Sequence, residues 1–320
     1  MAETSAPIVV IAGPTASGKS CLALAVAAEF RGAIVNADSM QVYRDLSVLT
    51  ARPTPDDIAR APHALYGIID AAERCSAGRW RGLALVEIAR ARAAGHLPLL
   101  VGGTGLYLSA LLDGLAEVPP VPAAAVAEAK VLHAQLGGPA FREALAVLDA
   151  ASAAHLVPGD TQRLIRAYAV ARATGVALSE WQRRQTPHAG PDAAAIVLLP
   201  PRDELYARID ARLAAMFVGG AVEEARGLLA RRLSSDLPAL KAVGLREIAG
   251  WLAGASPEAE ALAAAQQASR RYAKRQLTWL RHRLKTSKKL RKIEIFSQYS
   301  ESLLPDIFAF IRQFLLTPRS

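Results

Sequence analysis

Gly13-Pro14-Thr15-Ala16-Ser17-Gly18-Lys19-Ser20 sets two glycines, a lysine and a hydroxyl at the spacing of a phosphate-binding loop. In such a P-loop, backbone N–H groups at a helix N-terminus surround a phosphate. Lys19 supplies a point charge, and the Ser20 hydroxyl can coordinate Mg²⁺. The pattern specifies a diphosphate or polyphosphate, but neither which one nor which reaction. Further on, Asp38-Ser39-Met40-Gln41-Val42-Tyr43-Arg44 offers a carboxylate suited to general-base work. Ser39 and Gln41 can hydrogen-bond the edge of a base. In isolation, Asp-Ser equally suits the cap of a helix. A third candidate is Gly102-Gly103-Thr104-Gly105-Leu106-Tyr107, a hydroxyl in a glycine turn. A phosphotransferase would usually place an Mg²⁺-binding acid at such a strand end, and none stands here.

These residues need strands and helices to present them. Apolar runs predict strands at Ile8–Ala12, Ala33–Val35, Leu97–Val101 and Ile196–Leu199. A helical pattern from Ser20 to Phe30, closed by Gly32, joins the first two. Strand, glycine-rich turn, helix and strand make a βαβ unit, so the expected class is α/β with a parallel sheet. The Asp38 segment then falls at the carboxyl edge, where open α/β sheets bind ligands. Pro119, Pro120 and Pro122, and later Pro187 to Pro191, punctuate the chain around alanine-rich helical patterns. The expected division is a P-loop core of residues 1–117 and 192–292, ending in a basic helix, with an all-helical insertion at 118–191. Residues 293–320, apolar and carrying Phe296, Phe308, Phe310 and Phe314, receive no role.

Apolar residues at 52% and charged residues at 21% describe a globular chain with a sizeable core. No uninterrupted apolar run reaches the ~18 residues that a membrane span needs. The N-terminus carries neither a basic leader nor a cleavage site, so a cytoplasmic protein without membrane partners is expected. Cys21 and Cys75 are too few for a disulfide framework or a four-ligand zinc site. The net charge of +9 is concentrated: Arg270 to Lys292 holds eleven Lys/Arg and no acid. The rest of the chain sets 27 of the 38 Lys/Arg against all 29 Asp/Glu. Tyr272 and Trp279 sit among the cations, the mixture that base stacking and phosphate contact require. A polyanionic partner is expected for this segment, a solvated helix face being the plainer alternative.

The motifs together resemble the tRNA dimethylallyltransferase family. The resemblance is carried, in order, by Gly13–Ser20, Asp38–Arg44, Gly102–Tyr107, and Asp160-Thr161-Gln162-Arg163-Leu164-Ile165-Arg166-Ala167. It continues through Lys241-Ala242-Val243-Gly244-Leu245-Arg246 and Lys274-Arg275-Gln276-Leu277-Thr278-Trp279-Leu280-Arg281, and covers about residues 8–281. It implies transfer of a dimethylallyl group from dimethylallyl diphosphate to N6 of the adenosine next to the anticodon of tRNA. It implies a P-loop core with an inserted helical domain on the anticodon stem. It implies Asp38 as the base, Thr104 beside the reacting centre, and Lys19, Ser20 and Arg212 around the leaving diphosphate with Mg²⁺. Arg208 shares a helix face with Arg212 and could assist. The tRNA contacts implied are Asp38–Gln41, Gln162–Arg166, Lys241–Arg246 and Lys274–Arg281. Departures are Leu245, where a Tyr is common, and Ala123-Ala124-Ala125-Val126 after Pro122, where an Arg is often near. A monomer is expected.

Two other classes share parts of this pattern. A small-molecule or nucleotide kinase has the P-loop but should show an Mg²⁺ acid or an Arg-rich lid. An ATP-driven nucleic-acid-binding protein would use the basic segment but should show an acid that positions water.

Overall fold

The computed structural model describes residues 7–184, 190–284 and 290–317. Pro187 and the cations Lys285, Lys288 and Lys289 lie outside them. Residues 1–113 with 190–320 make one compact unit, and residues 114–189 a second.

The first unit is built on a parallel sheet: β1 (Ile8–Ala12), β2 (Gly32–Asn36), β3 (His63–Ala64), β4 (Leu97–Gly102), β5 (Ala193–Leu198) and β6 (Leu290–Phe296). Their spatial order is β3-β2-β4-β1-β5-β6. β1 therefore lies between β4 and β5, with Ala12 paired to both Gly102 and Val197. Four helices belong to the N-terminal half: α1 (Lys19–Phe30), α2 (Pro55–Arg60), α3 (Ala77–Ala93) and α4 (Gly105–Leu112). In the second unit stand α5 (Ala123–Leu148), α6 (Ala150–His155), α7 (Thr161–Thr174) and α8 (Leu178–Arg183). The chain then returns to the first unit with α9 (Arg202–Met216), α10 (Val222–Ala230), α11 (Leu245–Leu252), α12 (Glu258–His282) and α13 (Leu304–Leu316).

Strand alternation splits the core into two layers. Ile8, Val10, Val197 and Leu100 pack with Trp80 of α3 and with the later helices α9 to α12. Val9, Ile11, Ile196 and Leu99 pack with α1 and α13. Both sheet faces are covered, as parallel strands require.

Four differences from the sequence reading have physical causes. β5 starts at Ala193, not Ile196, and runs through three fully buried alanines. Alanine carries no strand preference, so its presence in the strand is set by packing on both faces. Arg31, at φ 50°, ends α1. Gly32 opens β2 instead, where a Cβ would meet Leu99 Cδ1 at 2.5 Å. The boundary expected at 292/293 falls inside β6, which pairs with β5 from Leu290 to Phe296. The stretch 293–317 therefore joins the core: Ile307, Ile311 and Phe314 of α13 are fully buried against the sheet. Finally, the basic stretch is not one surface. Arg270 pairs with Asp210 through two bonds of 2.6 and 2.7 Å, and Arg291 of β6 pairs with Asp192 at 2.8 Å.

The second unit has its own small core around Phe141, Leu145 and Leu164. Its α5 breaks at Gly137, which takes φ 73°, just before Pro139. Asp149 fastens α6 to α8 by accepting from the amides and hydroxyls of Ser152 and Ser179. Burial pushes its carboxyl up, but these bonds outweigh it and the net shift is downward. Among the described residues no helix is long and apolar enough to cross a membrane.

Candidate active site

β1 ends in the loop Gly13–Gly18, and α1 begins at Lys19, so the phosphate motif sits between strand and helix. The turn needs glycines at both ends. A Cβ on Gly13 would meet Ser17 Oγ at 2.6 Å, and Gly18 takes φ 91° as the residue before the helix. The loop borders a cavity of about 320 Å³ at the carboxyl edge of the sheet. Asp38, Gln41, Tyr66 and Arg212 line the same cavity, with Arg208 exposed beside it. Thus the phosphate loop, the β2 carboxylate and the α9 arginines, which are scattered in sequence, converge on one crevice.

Its electrostatics suit an anion. Lys19 donates to the Pro14 carbonyl at 2.6 Å. Burial lowers its pKa from 10.5 to about 8, the Asp38 charge opposing and Arg212 adding to the fall. Burial also lowers Arg212, again against Asp38. Arg212 donates through Nη2 to the Thr15 hydroxyl, but its buried Nε finds no partner among the described residues. Two desolvated cations with an orphaned N–H make a cradle that an oxyanion would complete.

Asp38 begins a turn, not a helix. Its Oδ1 accepts from the Met40 amide at 2.8 Å, and its own amide donates to Asn36 Oδ1 at 2.8 Å. Asn36 is fully buried and also donates to the Leu65 carbonyl at 3.0 Å. The second carboxylate oxygen of Asp38 accepts no hydrogen bond from the described residues, which leaves it open for a proton. Thr104 opens α4 after the glycine turn. Its Oγ1 accepts from the Ser39 amide at 3.0 Å, tying the two candidate segments together. Below them Trp80 donates to the Asn36 carbonyl at 2.9 Å and stacks on Tyr107 at 4.3 Å, which makes a stiff floor.

The remaining candidates divide by face. On α12, Lys274, Arg275, Thr278 and Arg281 are exposed, while Gln276, Leu277 and Leu280 are buried. Leu277, Leu280 and Gln276, expected among the tRNA contacts, pack inward instead. Trp279 lies over Gly105, where a Cβ would meet its ring at 2.3 Å, so it packs on backbone rather than standing free to stack on a base. Lys241 and Arg246 are exposed around Gly244, which takes φ 93°, while Ala242 and Leu245 are buried and Val243 half-buried. Leu245 at 1% exposure is a core residue. In the second unit, Gln162, Arg163 and Arg166 of α7 are exposed, Ile165 is half-buried, and Leu164 is core. Gln41 spends its Nε2 on the Thr50 and Ala51 carbonyls at 2.8 and 2.9 Å, so its amide nitrogen builds the cavity wall.

Sequence reasoning missed Tyr66, Glu224 and the Gln298–Tyr299 pair. Tyr66 is a cavity-lining phenol that burial and Asp38 push above its ordinary pKa. Glu224 accepts from the amides of Val48 at 2.8 Å and Leu49 at 2.9 Å and from the Ser47 amide, holding the loop that ends in Thr50 and Ala51. Gln298 donates to the Ser17 carbonyl at 3.0 Å, and Tyr299 presses on Gly18. All three act across long sequence separations, and no local signal marks them.

Among the described residues no cluster of His, Cys, Asp or Glu could hold a metal by itself. The Ser20 hydroxyl, exposed on the cavity wall, fits Mg²⁺, which takes one or two protein oxygens and fills its shell with substrate phosphates and water.

Fold and site together define a P-loop α/β protein in which two desolvated cations, Lys19 and Arg212, and the Asp38 carboxylate line one cavity. The chain belongs to the IPP transferase family, which it matches over residues 41–283, and the isopentenyl transferase family is matched over residues 6–65. The tRNA dimethylallyltransferase of Rhodospirillum rubrum is 53% identical over 99% of this chain and 97% of its own length. That of Paramagnetospirillum magneticum is 50% identical over 99% of both. Among solved structures, the full-length tRNA isopentenylpyrophosphate transferase of Bacillus halodurans superposes with a TM-score of 0.69 at 31% identity, covering 97% of this chain and 96% of that one.

Proposed function

We propose that the chain is a tRNA dimethylallyltransferase. It moves a dimethylallyl group from dimethylallyl diphosphate to N6 of the adenosine 3′-adjacent to the anticodon, and releases diphosphate. The observation that carries this is the meeting of Lys19, Arg212 and the open oxygen of Asp38 in one crevice.

The adenosine leaves its stack and enters the crevice opposite the diphosphate. Its exocyclic nitrogen attacks C1 of the allyl group, the C1–O bond breaks, and Asp38 takes the N6 proton. An adenine amino group is a poor nucleophile because its lone pair is delocalised. Alignment and neutralisation of the leaving group must therefore supply the acceleration. Lys19, Arg212 and the loop amides receive the developing diphosphate charge, and Thr104 holds the Asp38 turn beside the reacting centre. Ser20 would hold Mg²⁺, which would supply further charge neutralisation at the leaving group. The exposed cations of α12, with Lys241 and Arg246, grip the tRNA backbone, and the 114–189 unit brings Gln162, Arg163 and Arg166 to the anticodon stem. The enzyme works in the cytoplasm as a monomer.

Incubation with labelled dimethylallyl diphosphate, Mg²⁺ and bulk tRNA tests the reading: label should enter RNA. Absence of label in RNA, with ATP rather than dimethylallyl diphosphate raising the melting temperature, would point to the kinase alternative.

A further inference from the structure

Gln276 sits in the middle of the cationic helix yet faces away from its cations. It is 6% exposed. Its Oε1 accepts from the Thr15 amide of the phosphate loop at 2.9 Å, and its Nε2 donates to the Gly103 carbonyl at 3.1 Å. One side-chain amide thus spans the diphosphate cradle and the turn that presents Thr104. The fit is close: a Cβ on Gly103 would meet Gln276 Nε2 at 2.4 Å. Its neighbours on the same helix grip the same parts. Trp279 covers Gly105, where a Cβ would meet its ring at 2.3 Å. Arg270 clamps Asp210 of α9, the helix that carries Arg212.

We infer that Gln276 is a positioning residue for the transfer: it sets the separation between the diphosphate cradle and the Thr104 turn, and it touches no tRNA. The inference rests on the proposed reading of the chain as a tRNA dimethylallyltransferase. A buried amide that satisfies one donor and one acceptor has no substitute nearby, so its loss lets loop and turn drift apart. A displacement of ~1 Å at a reacting centre costs up to ~100-fold in rate.

The test compares Gln276→Met, of similar volume but without hydrogen bonds, with Gln276→Glu. The parent must first transfer label to tRNA; failure there sinks the functional reading and leaves Gln276 out of account. Both variants should bind tRNA with the parent's affinity and salt dependence. Gln276→Met should lose ~10- to 100-fold in single-turnover rate on pre-bound tRNA, and bind inorganic diphosphate more weakly. Gln276→Glu keeps the acceptor for Thr15 and regains the donor to Gly103 only when protonated. Its rate relative to the parent should therefore rise as pH falls from about 8 to about 6. That ratio still decides the matter if Gln276→Met does not fold. Weakened tRNA binding with a normal rate on bound tRNA would make Gln276 a contact residue. A parental rate in Gln276→Met, or a ratio flat with pH in Gln276→Glu, would equally overturn the inference.

Discussion

Arg212 of α9 donates to the hydroxyl of Thr15, so a helix late in the chain closes over a loop formed near its start. The contact leaves the buried Nε of Arg212 without a partner among the described residues, which is costly until an oxyanion arrives. The family resemblance implies Arg212 beside the diphosphate, and the fold sets it in the lining of the cavity that the phosphate loop borders.

Arg212→Lys should therefore be far from conservative. It keeps one charge but loses the planar fork that reaches the Thr15 hydroxyl and an oxyanion at once. Losing a charged hydrogen bond of this kind costs ~1.5–3 kcal/mol, so kcat/KM for dimethylallyl diphosphate should drop ~10- to 100-fold. tRNA affinity should not change. Steady-state kinetics with each substrate varied in turn will show whether the loss is confined to the diphosphate side.

Lys19 gives a pH signature. Its folded pKa of about 8 lies below the ordinary 10.5, so burial penalises the charged form. Below about pH 8 the lysine is charged in both folded and unfolded chains, and the penalty is fully present. From about 8 to 10.5 the unfolded chain holds the extra proton, so this contribution to stability rises with pH. Lys19→Met should accordingly melt above the parent at neutral pH, with the gap closing toward pH ~10. The variant should also lose affinity for inorganic diphosphate, and the parent's affinity should weaken above pH ~8 as its charge is lost. Equal melting temperatures at neutral pH would mean that the ammonium is not desolvated.

What was legible in the sequence is what is local. The Gly13–Ser20 loop, the strand before it and the Asp38 and Thr104 turns are each written within a few residues, and each stands where the pattern put it. The role of α12 is not legible in its run of cations alone, because the helical period sends them to different faces. Ala273, Gln276, Leu277 and Leu280 form an inward stripe at helical spacing that divides the charges. β6 was hidden because Arg291 and Lys292 extend the same basic run, although Ile293-Glu294-Ile295-Phe296 belongs to an edge strand. Glu224 and Gln298 act across more than a hundred residues, and only the folded chain brings them to their loops.

The C-terminal helix makes a stability prediction. Phe314 is fully buried, packs in the layer beneath α1, and lies under the Arg291 guanidinium. Phe314→Ala should cost ~3–5 kcal/mol, the range for emptying a large aromatic site. A denaturant midpoint that barely moves would return residues 304–317 to the status of a dispensable tail.

Arg275 and Arg281 should bind tRNA through its phosphates. Both are exposed, and Arg275 is steadied over the Tyr272 ring at 5.6 Å. Replacing both by Ala should weaken all substrate tRNAs alike. Each lost contact should also remove roughly 0.7 to 0.9 from the slope of log affinity against log salt, the lower figure applying to single strands. Titrations at several salt concentrations measure this, and an unchanged slope would make this face a solvated one.

Asp38 separates catalysis from architecture most sharply. One carboxylate oxygen holds the Met40 amide at 2.8 Å, and the other accepts no hydrogen bond from the described residues. Asp38→Asn keeps an acceptor for Met40 and nearly the same shape, but it cannot serve as a base. A positioned general base contributes ~10²–10⁴-fold, so single-turnover transfer on pre-bound tRNA should fall by that order. Its melting temperature should stay near the parent's, because the turn survives. Asp38→Ala removes the Met40 contact as well, and should add ~1 kcal/mol of destabilisation without much further loss of rate. If the carboxylate served only the turn, the order would reverse: Asn would transfer normally and Ala alone would suffer. An Asn variant with parental single-turnover rate would therefore remove Asp38 from the proton transfer and leave it as the keystone of a turn.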